Sequence, residues 1–451
     1  MSLPMGVSPQ NTATAASGTS GNDQQQQILQ VEDVGDNLDE LQLQTPSLSD
    51  MNQSALSVET ESTRGLVANS ALEVSGGYIS NLYNRSSDVI GSGFSRYTVP
   101  LTLNISKSRT RFIASYLPQL AVYSAASGVY QTHVYDQTLL YGLSNRTTLS
   151  WQLSGARYRD VGQFLPVVLP TGGTGIAQPL GGGTGAGTTS TISNAATSIA
   201  LLHKLSARDQ VTLTGTAAWN ELLQAGTSSQ PSARSILRNQ SFAVDAIYEH
   251  ALSSSVFVGV EGTAAYVRGL SNATTLNYET GLGTLRYIIS ASDSFSVAAG
   301  PLIRSSSNTA PTAGDDGATY ALNARYTHQS SIGNVSASFT RVIQLSLDNS
   351  ATPANQFSTD FVRPVMRNID LTLDLRYIRT GSGAASAAEI RQTNFGGSVR
   401  VDYRTGTRLS WFATASLSSA SQPAANTGTS TFTRNEMSGG LRFILDPGPV
   451  R

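Results

Sequence analysis

The stretch from Ile369 to Tyr377, IDLTLDLRY, alternates apolar and polar side chains without a break. Successive residues of a β-strand point to opposite faces, so this stretch predicts a strand with one apolar and one polar face. The same period of two recurs along the chain, at apolar positions Tyr97/Val99/Leu101/Leu103/Ile105, Leu149/Trp151/Leu153, Val211/Leu213/Ala217/Trp219 and Tyr320/Leu322/Ala324/Tyr326. The pattern predicts an all-β protein.

Short and long connections alternate between these strands. The short ones are predicted as turns at Lys107–Arg109, Asn145–Arg146, Ala207–Asp209, Ser253–Ser255, Ala291–Asp293, Ser331–Gly333, Met366–Asn368 and Arg404–Thr407. The long ones are polar and rich in Gly, Ser, Thr and Pro, at 159–192, 221–239, 304–317, 346–357, 381–388 and 419–429. Turns at one end and loops at the other are typical of a membrane barrel. We expect 16–18 strands.

Strands that are apolar on one face must bury that face in a sandwich core or in lipid. In lipid no edge hydrogen bond can stay unpaired, so the sheet must close. A soluble sandwich of this length would normally divide into domains with linkers, and none is visible after residue 65. We therefore predict a closed antiparallel transmembrane β-barrel over residues 66–451.

Composition agrees with strands that face two environments. Charged residues are 13% of the chain and hydrophobic residues 39%, with 41 glycines and no cysteine. No run of 18 or more apolar residues occurs, which excludes a transmembrane helix at the level of the sequence. Residues 1–10 show no signal peptide, which an outer-membrane protein must have carried, so we expect a mature or truncated form.

Residues 1–65 differ from the rest. Residues 1–63 hold nine acidic residues and no Lys or Arg, which leaves 21 acidic against 29 basic residues in 64–451, a net charge of +8. We predict a mostly disordered, acidic periplasmic extension. The alternative is a plug or partner-binding helix near residues 28–43, whose apolar residues have amphipathic spacing.

The last strand reads Met437-Ser438-Gly439-Gly440-Leu441-Arg442-Phe443-Ile444-Leu445. It resembles the C-terminal β-signal of bacterial outer-membrane proteins, with Met437, Gly439, Leu441, Phe443 and Leu445 as the matching face. In that family the chain usually stops at the terminal aromatic residue, whereas here six residues follow. As a class, residues 68–451 are similar to porin-like and exopolysaccharide-associated barrels, which implies location in the bacterial outer membrane.

Charged residues opposite the apolar faces are the candidate functional residues, because in a barrel they point into the lumen. They are Arg325, Asp370, Asp374, Arg376, Arg400, Asp402, Glu436 and Arg442. One interpretation is a charged constriction that selects solutes by sign. The other is a set of cross-strand Arg–Asp pairs that stiffens the wall, and the expected neighbouring strands of Asp370/Asp374/Arg376 and Arg400/Asp402 favour it.

Aromatic residues near strand ends predict belts at the membrane interfaces, where amphipathic rings lie at the level of the lipid headgroups. They are Trp151, Trp219, Tyr266, Tyr377, Tyr403 and Trp411. Packing in the core of a soluble sheet is the competing interpretation. The longest loop, which contains the Gly-rich stretch 171–188, either folds into the pore or lies outside as a surface loop.

No catalytic, metal or cofactor site is predicted. The four histidines, His133, His203, His250 and His328, fall in separate strands, and no nucleophile elbow, phosphate loop or zinc motif is present. No basic stripe with interleaved aromatic residues indicates a nucleic-acid surface.

The sequence therefore favours a non-enzymatic, passive, porin-like channel for small solutes. The alternatives are a barrel component of an exopolysaccharide or secretion assembly, whose tail would bind a periplasmic partner, and a surface or adhesin protein. Outer-membrane lipid and lipopolysaccharide are the expected surroundings. The sequence does not predict the oligomeric state.

Overall fold

In the computed structural model, the described part of the chain comprises residues 65–82, 89–126, 128–161, 176–177, 189–224, 235–269, 275–307, 317–330, 333–345, 351–380, 392–424 and 428–445. The expectations for the tail at residues 1–64 lie outside these residues. No helix among the described residues is long and apolar enough to cross a membrane.

Twenty strand segments make up the described structure. They are β1 Gly65–Ile79, β2 Ser92–Thr98, β3 Leu101–Lys107, β4 Thr110–Tyr123, β5 Val129–Ser144, β6 Thr147–Val161, β7 Ile176–Ala177, β8 Thr189–Lys204, β9 Asp209–Gln224, β10 Ser235–Ala251, β11 Val256–Gly269, β12 Thr275–Ile288, β13 Asp293–Ser307, β14 Gly317–Ser330, β15 Gly333–Leu345, β16 Ala351–Met366, β17 Ile369–Thr380, β18 Gln392–Arg404, β19 Leu409–Ala424 and β20 Gly428–Leu445.

All of these segments except β7 form one closed antiparallel barrel of 18 strands. β2 and β3 both lie between β1 and β4, so they are two parts of one wall strand, interrupted at Val99 and Pro100. Proline has no N–H to donate to a neighbouring strand, which explains the break. The first and last strands pair from Ser70↔Leu445 to Ile79↔Glu436 and close the barrel. The predicted fold class and the upper strand number are confirmed.

The eight short connections all lie at one end of the barrel, which we call the turn end, and each joins the two strands that the sequence predicted for it. Serine shapes several of them. Ser206 Oγ accepts hydrogen bonds from the backbone N–H groups of Arg208 and Asp209, and Ser253 and Ser290 accept equivalent bonds in their own turns. A side chain that satisfies the turn's backbone donors favours a tight reversal. β1 begins and β20 ends at the turn end.

Five of the six long connections predicted for the other end, the loop end, are shorter than the sequence predicted, whereas the one between β17 and β18 covers 381–391 instead of 381–388. Residues 351–357 belong to β16, and most of 419–429 belongs to β19 and β20. These Ser-, Thr- and Ala-rich stretches have no apolar alternation, yet they continue the backbone pairing of their strands. The longest connection joins β6 to β8, and its segment β7 pairs in parallel with Ile343 and Gln344 of β15. β15 is seven wall strands beyond β8, so this connection reaches a distant part of the wall.

The outward face of the wall is apolar and the inward face carries buried charges, which is the reverse of the arrangement in a soluble protein. On β10, Phe242 and Val244 point outward and are 51% and 61% exposed, whereas the inward Asp245 and Glu249 are 0% and 5% exposed. The same arrangement holds on β9, where Leu213 is exposed between buried Thr212 and Thr214. A continuous apolar exterior on a closed barrel is the surface that contacts lipid.

Lipid contact predicts a cost that depends on depth. Val244→Arg places a charge near the middle of the outward face of β10, and we expect it to destabilise the barrel by about 2–4 kcal/mol in phospholipid vesicles. Asn277→Arg, also outward but at the loop end of β12, should cost at most about 1 kcal/mol. Urea unfolding of both variants in vesicles measures the difference. Equal costs for the two variants would contradict a lipid-facing exterior.

Candidate functional site

The inward face of the wall is largely buried and holds both polar or charged side chains and apolar clusters. Asp136 on β5 is 1% exposed and receives a hydrogen bond from Gln152 Nε2 at 3.3 Å. Asp245 on β10 receives one from Thr263 Oγ1 at 2.6 Å. Buried carboxylates are costly unless they are hydrogen-bonded, so these contacts hold the acids against the wall. The barrel interior is therefore the candidate functional site.

The densest group of inward charges lies where the barrel closes, and we call it the seam network. It consists of Glu73 on β1, Arg96 on β2, Arg400 and Asp402 on β18, and Arg434, Glu436 and Arg442 on β20. Glu73 Oε1 accepts from Arg442 Nε at 2.6 Å and lies 3.5 Å from the guanidinium of Arg400. Glu436 lies 3.0 Å from Arg96 and 3.5 Å from Arg434. Each acid in this group thus neutralises arginine from another strand or from its own.

Arg400 illustrates how a charge is held inside the barrel. Its Nε and one terminal nitrogen each donate to Asp402 at 2.9 Å, a bidentate arrangement that fixes the plane of the guanidinium. That plane lies 4.2 Å from the ring centroid of Phe412 on β19, and Phe412 in turn covers Gly440 on β20. A cation over an aromatic face is attracted electrostatically. The aromatic ring therefore guides Arg400 across two strands toward Glu73.

The same construction occurs twice more. Arg96 lies 4.8 Å from the ring centroid of Phe94, which covers Gly77 on β1, and it reaches Glu436 on β20. Arg286 on β12 lies 3.8 Å from the Phe257 ring on β11 and 2.9 Å from Glu249 on β10. Gln210 Nε2 donates to the second oxygen of Glu249 at 2.7 Å. Phenylalanine thus serves as a platform on which arginine crosses an intervening strand to an acid.

All eight charges predicted from the sequence lie on the inward face. Arg400, Asp402, Glu436 and Arg442 come together in the seam network. The others do not join it: Arg325 lies on β14, while Asp370 pairs with Arg404 and Asp374 accepts from Ser398 Oγ at 3.0 Å. β17 and β18 are neighbours, as expected, but the pairing differs from the expected one because Asp370 faces Asp402 and Asp374 faces Ser398. Arg376 faces Gly396.

Several inward charges escaped the sequence analysis. Glu73 lies in a strand in which Gly76 and Gly77 weaken the alternation, so no pattern marked it. Arg96, Glu249 and Arg286 each follow or precede an outward apolar residue, Tyr97, Tyr248 or Leu285, and the period of two could have identified them. Arg434 belongs to a polar stretch of β20 in which only the pairing with β19 and β1 reveals the inward face.

The predicted belt residues all point outward and occupy two levels. Trp151, Tyr403 and Trp411 lie toward the turn end, and Tyr403 faces Trp411 directly. Trp219, Tyr266 and Tyr377 lie toward the loop end. Further outward tyrosines precede the short turns by a few residues, namely Tyr141, Tyr248, Tyr287 and Tyr326. Their contact with lipid headgroups stays a prediction.

The histidines also lie on the outward face, where they make local hydrogen bonds. Asp209 Oδ1 contacts His250 Nδ1 at 2.7 Å and the Tyr248 hydroxyl at 2.6 Å. Asp293 repeats both contacts, with His328 and Tyr326. His133 contacts Tyr116 and His203 contacts Thr147. Among the described residues, no three His, Asp or Glu side chains are placed to hold a metal ion.

Comparison with known proteins shows a distant likeness only. The chain matches no family model and no curated protein. It is similar to the copper transporter OprC over 86% of this chain and 82% of that chain, at 9% identity and a TM-score of 0.46. It is similar to OccK2 (OpdF) of Pseudomonas aeruginosa over 85% of this chain and 100% of that chain, at 12% identity and a TM-score of 0.41. It is similar to the siderophore receptor PiuA of Acinetobacter baumannii over 85% of this chain and 82% of that chain, at 9% identity and a TM-score of 0.43. Likeness at this level says nothing about function.

The architecture itself is that of a bacterial outer-membrane β-barrel. Its strand number is even, the strands are antiparallel, the connections at one end are short turns, and the exterior is apolar around a polar interior. These are the features by which such barrels are recognised. The predictions of an outer-membrane β-barrel and of location in the bacterial outer membrane are confirmed.

The aromatic platforms predict an unequal effect of two adjacent glycines. A Cβ at Gly440 would come within 2.7 Å of Phe412 Cζ and closer still to the carbonyl oxygen of Val74, whereas a Cβ at Gly439 finds its nearest neighbour, the carbonyl oxygen of Phe412, at 3.6 Å. Because overpacking forces neighbours to move, Gly440→Ala should destabilise the barrel by about 1–3 kcal/mol. Gly439→Ala should change stability by less than about 0.5 kcal/mol.

The urea midpoint of each purified variant in detergent measures both effects. If Gly440→Ala and Gly439→Ala unfold at the same urea concentration, the close contacts of Gly440 with Phe412 and Val74 are not present.

Proposed function

We propose that the barrel is a passive, porin-like channel for small polar solutes across the outer membrane, acting by passage and not by chemistry. The observation that carries this proposal is the polar share of the inward face, which lies beside apolar clusters such as Leu276, Leu282 and Leu302. On β19 it presents the half-buried Thr414, Ser416 and Ser418 in succession. Hydroxyl groups on a wall exchange hydrogen bonds with water and with passing polar solutes.

Charges of the two signs are nearly balanced on the inward face. The basic side chains are Arg96, Arg111, Lys204, Arg286, Arg304, Arg325, Arg376, Arg400, Arg404, Arg434 and Arg442, and the acidic ones are Glu73, Asp136, Asp245, Glu249, Glu261, Asp360, Asp370, Asp374, Asp402 and Glu436. A pore selects ions by the net charge that a passing ion experiences. A balanced wall therefore favours weak selectivity.

Ion pairing weakens selectivity further. Arg400 and Arg434 are 7% and 5% exposed, and each contacts a carboxylate in the seam network. A paired charge acts on a distant ion as a dipole, whose field decreases faster with distance than that of a single charge. The inward arginines then stiffen the wall more than they attract anions.

The outer surface at the loop end suits lipopolysaccharide, which we propose as a contact there. Arg157, Arg268 and Arg379 point outward near the loop end and are exposed. The guanidinium of Arg341 lies 4.2 Å from the ring centroid of Tyr320, which is itself 54% exposed. Arginine binds phosphate through its planar set of donors, and phosphate is carried by lipopolysaccharide headgroups.

Conductance tests the channel directly. The purified protein, reconstituted in a planar bilayer, should give stable open steps, and the reversal potential under a tenfold salt gradient should lie close to zero because the wall is nearly balanced in charge. A folded barrel that never conducts would overturn the proposal.

Removal of one seam acid should shift the selectivity. Glu73→Gln withdraws the carboxylate that Arg442 and Arg400 contact, so the lumen gains net positive charge, and the reversal potential should move toward anion preference. Glu279→Gln, the same change on the outward face of β12, is the control and should leave the reversal potential unchanged. If both variants behave alike, Glu73 does not contribute to the field in the lumen.

A further inference from the structure

The short turns differ in charge around the turn end. Basic side chains lie at five of the short turns. They are Lys107 and Arg109 at the turn after β3, Arg146 at the turn after β5, Arg208 at the turn after β8, Arg363 and Arg367 at the turn after β16, and Arg408 at the turn after β18. All of these side chains are exposed, and none forms an ion pair with another described residue. We call this set the basic arc.

The basic arc covers one side of the barrel only. The turns after β10, β12 and β14 read LSSS, ISAS and SI, at 252–255, 289–292 and 331–332, and contain no Lys or Arg. In the order of the wall, the basic turns lie on both sides of β1, and the uncharged turns lie opposite to it. The positive charge of the turn end is thus concentrated around the strand with which the barrel begins.

The described acids at the turn end oppose this charge only in part. Asp370 pairs with Arg404, which we therefore exclude from the arc. Asp209 accepts hydrogen bonds from Ser206, Tyr248 and His250. An exposed cluster of one sign attracts a mobile segment of the other sign over about one Debye length, roughly 8–10 Å at physiological salt.

A segment of the opposite sign is attached at the centre of the arc. Residues 1–63 carry nine carboxylates and no basic side chain, and they join β1 at the turn end. The attachment is close enough to matter: a flexible chain of 30 residues spans about 30 Å on average, comparable with the width of a large barrel. Tethering also raises the effective concentration of the segment at the arc to about the millimolar range.

We propose that the acidic segment 1–63 binds to the basic arc of its own barrel. The arc is the docking surface, and the carboxylates of the segment, among them Asp33, Asp36 and Glu40, are its ligands. Binding of this kind keeps the segment beside the periplasmic mouth of the barrel. The proposal stands independently of whether the barrel conducts.

Pulsed electron–electron double resonance on the full chain tests the proposal. Because the chain has no native cysteine, spin labels can be attached at introduced cysteines. Labels at Gly35→Cys and Asn145→Cys report the distance from the acidic segment to the arc in neutral detergent. The arc variant is R146Q/R208Q/R408Q. The matched control is R157Q/R268Q/R379Q, which removes the same charge from outward positions at the loop end.

The parent chain and the control should show a short, narrow distance distribution at 50 mM salt, and both should broaden toward about 30 Å, the value for a free chain, at 500 mM salt. The arc variant should already be broad at 50 mM salt. Cleavage by a Glu/Asp-specific protease gives a second readout, and the segment should be cut about tenfold faster in the arc variant than in the control.

Identical distributions in the parent chain and the arc variant at low salt would overturn the proposal. So would an arc variant that loses binding to vesicles containing phosphatidylglycerol while its label distance stays unchanged, since the arc would then be a lipid contact. Gel mobility before and after heating establishes that each variant is folded.

Discussion

Backbone hydrogen bonding in lipid is the constraint on which the whole structure depends. Each N–H and C=O group that faces hydrocarbon without a partner costs several kcal/mol, so a sheet that enters a membrane has to close. Here closure depends on one pairing, between β1 and β20, which joins residues more than 350 positions apart in the chain. The apolar exterior, the polar lumen and the placement of both strand ends at the turn end all follow from that closure.

Closure also creates the electrostatic problem that the lumen solves. An inward face that cannot contact lipid can be polar, but charges of one sign would repel each other within a small enclosed volume. In the wall the charges are paired. Arginine carries most of the positive charges because its planar guanidinium can pair with a carboxylate and stack on an aromatic ring at the same time. Phe94, Phe257 and Phe412 extend its reach across neighbouring strands. Because the charges of the wall neutralise each other, we expect its Ser and Thr hydroxyl groups to determine which solutes pass.

The strands and turns were accessible from the sequence because alternation and turn chemistry are local. Ile369–Tyr377 is a strand for reasons contained within nine residues, and every short turn lies where small or polar residues interrupt two alternating stretches. Partnership is not local. Nothing around Glu73 indicates Arg442, because the two meet only after the intervening wall is complete. The polar ends of β16, β19 and β20 were predicted as loops, since above the apolar zone neither face of a strand has to be apolar and the pattern disappears.

The seam network has a consequence for how the chain finds its correct closure. Alternation distinguishes inside from outside, but it is blind to a slip of two residues, which leaves every side chain on its proper face. Such a slip would place Glu73 opposite Gly440 or Ile444 instead of Arg442, and would separate Arg96 from Glu436. The misaligned barrel would then contain buried charges without partners. The ion pairs at the seam thus select the correct register in the final step of assembly, because a slip of two residues breaks them while it leaves the apolar and polar faces unchanged.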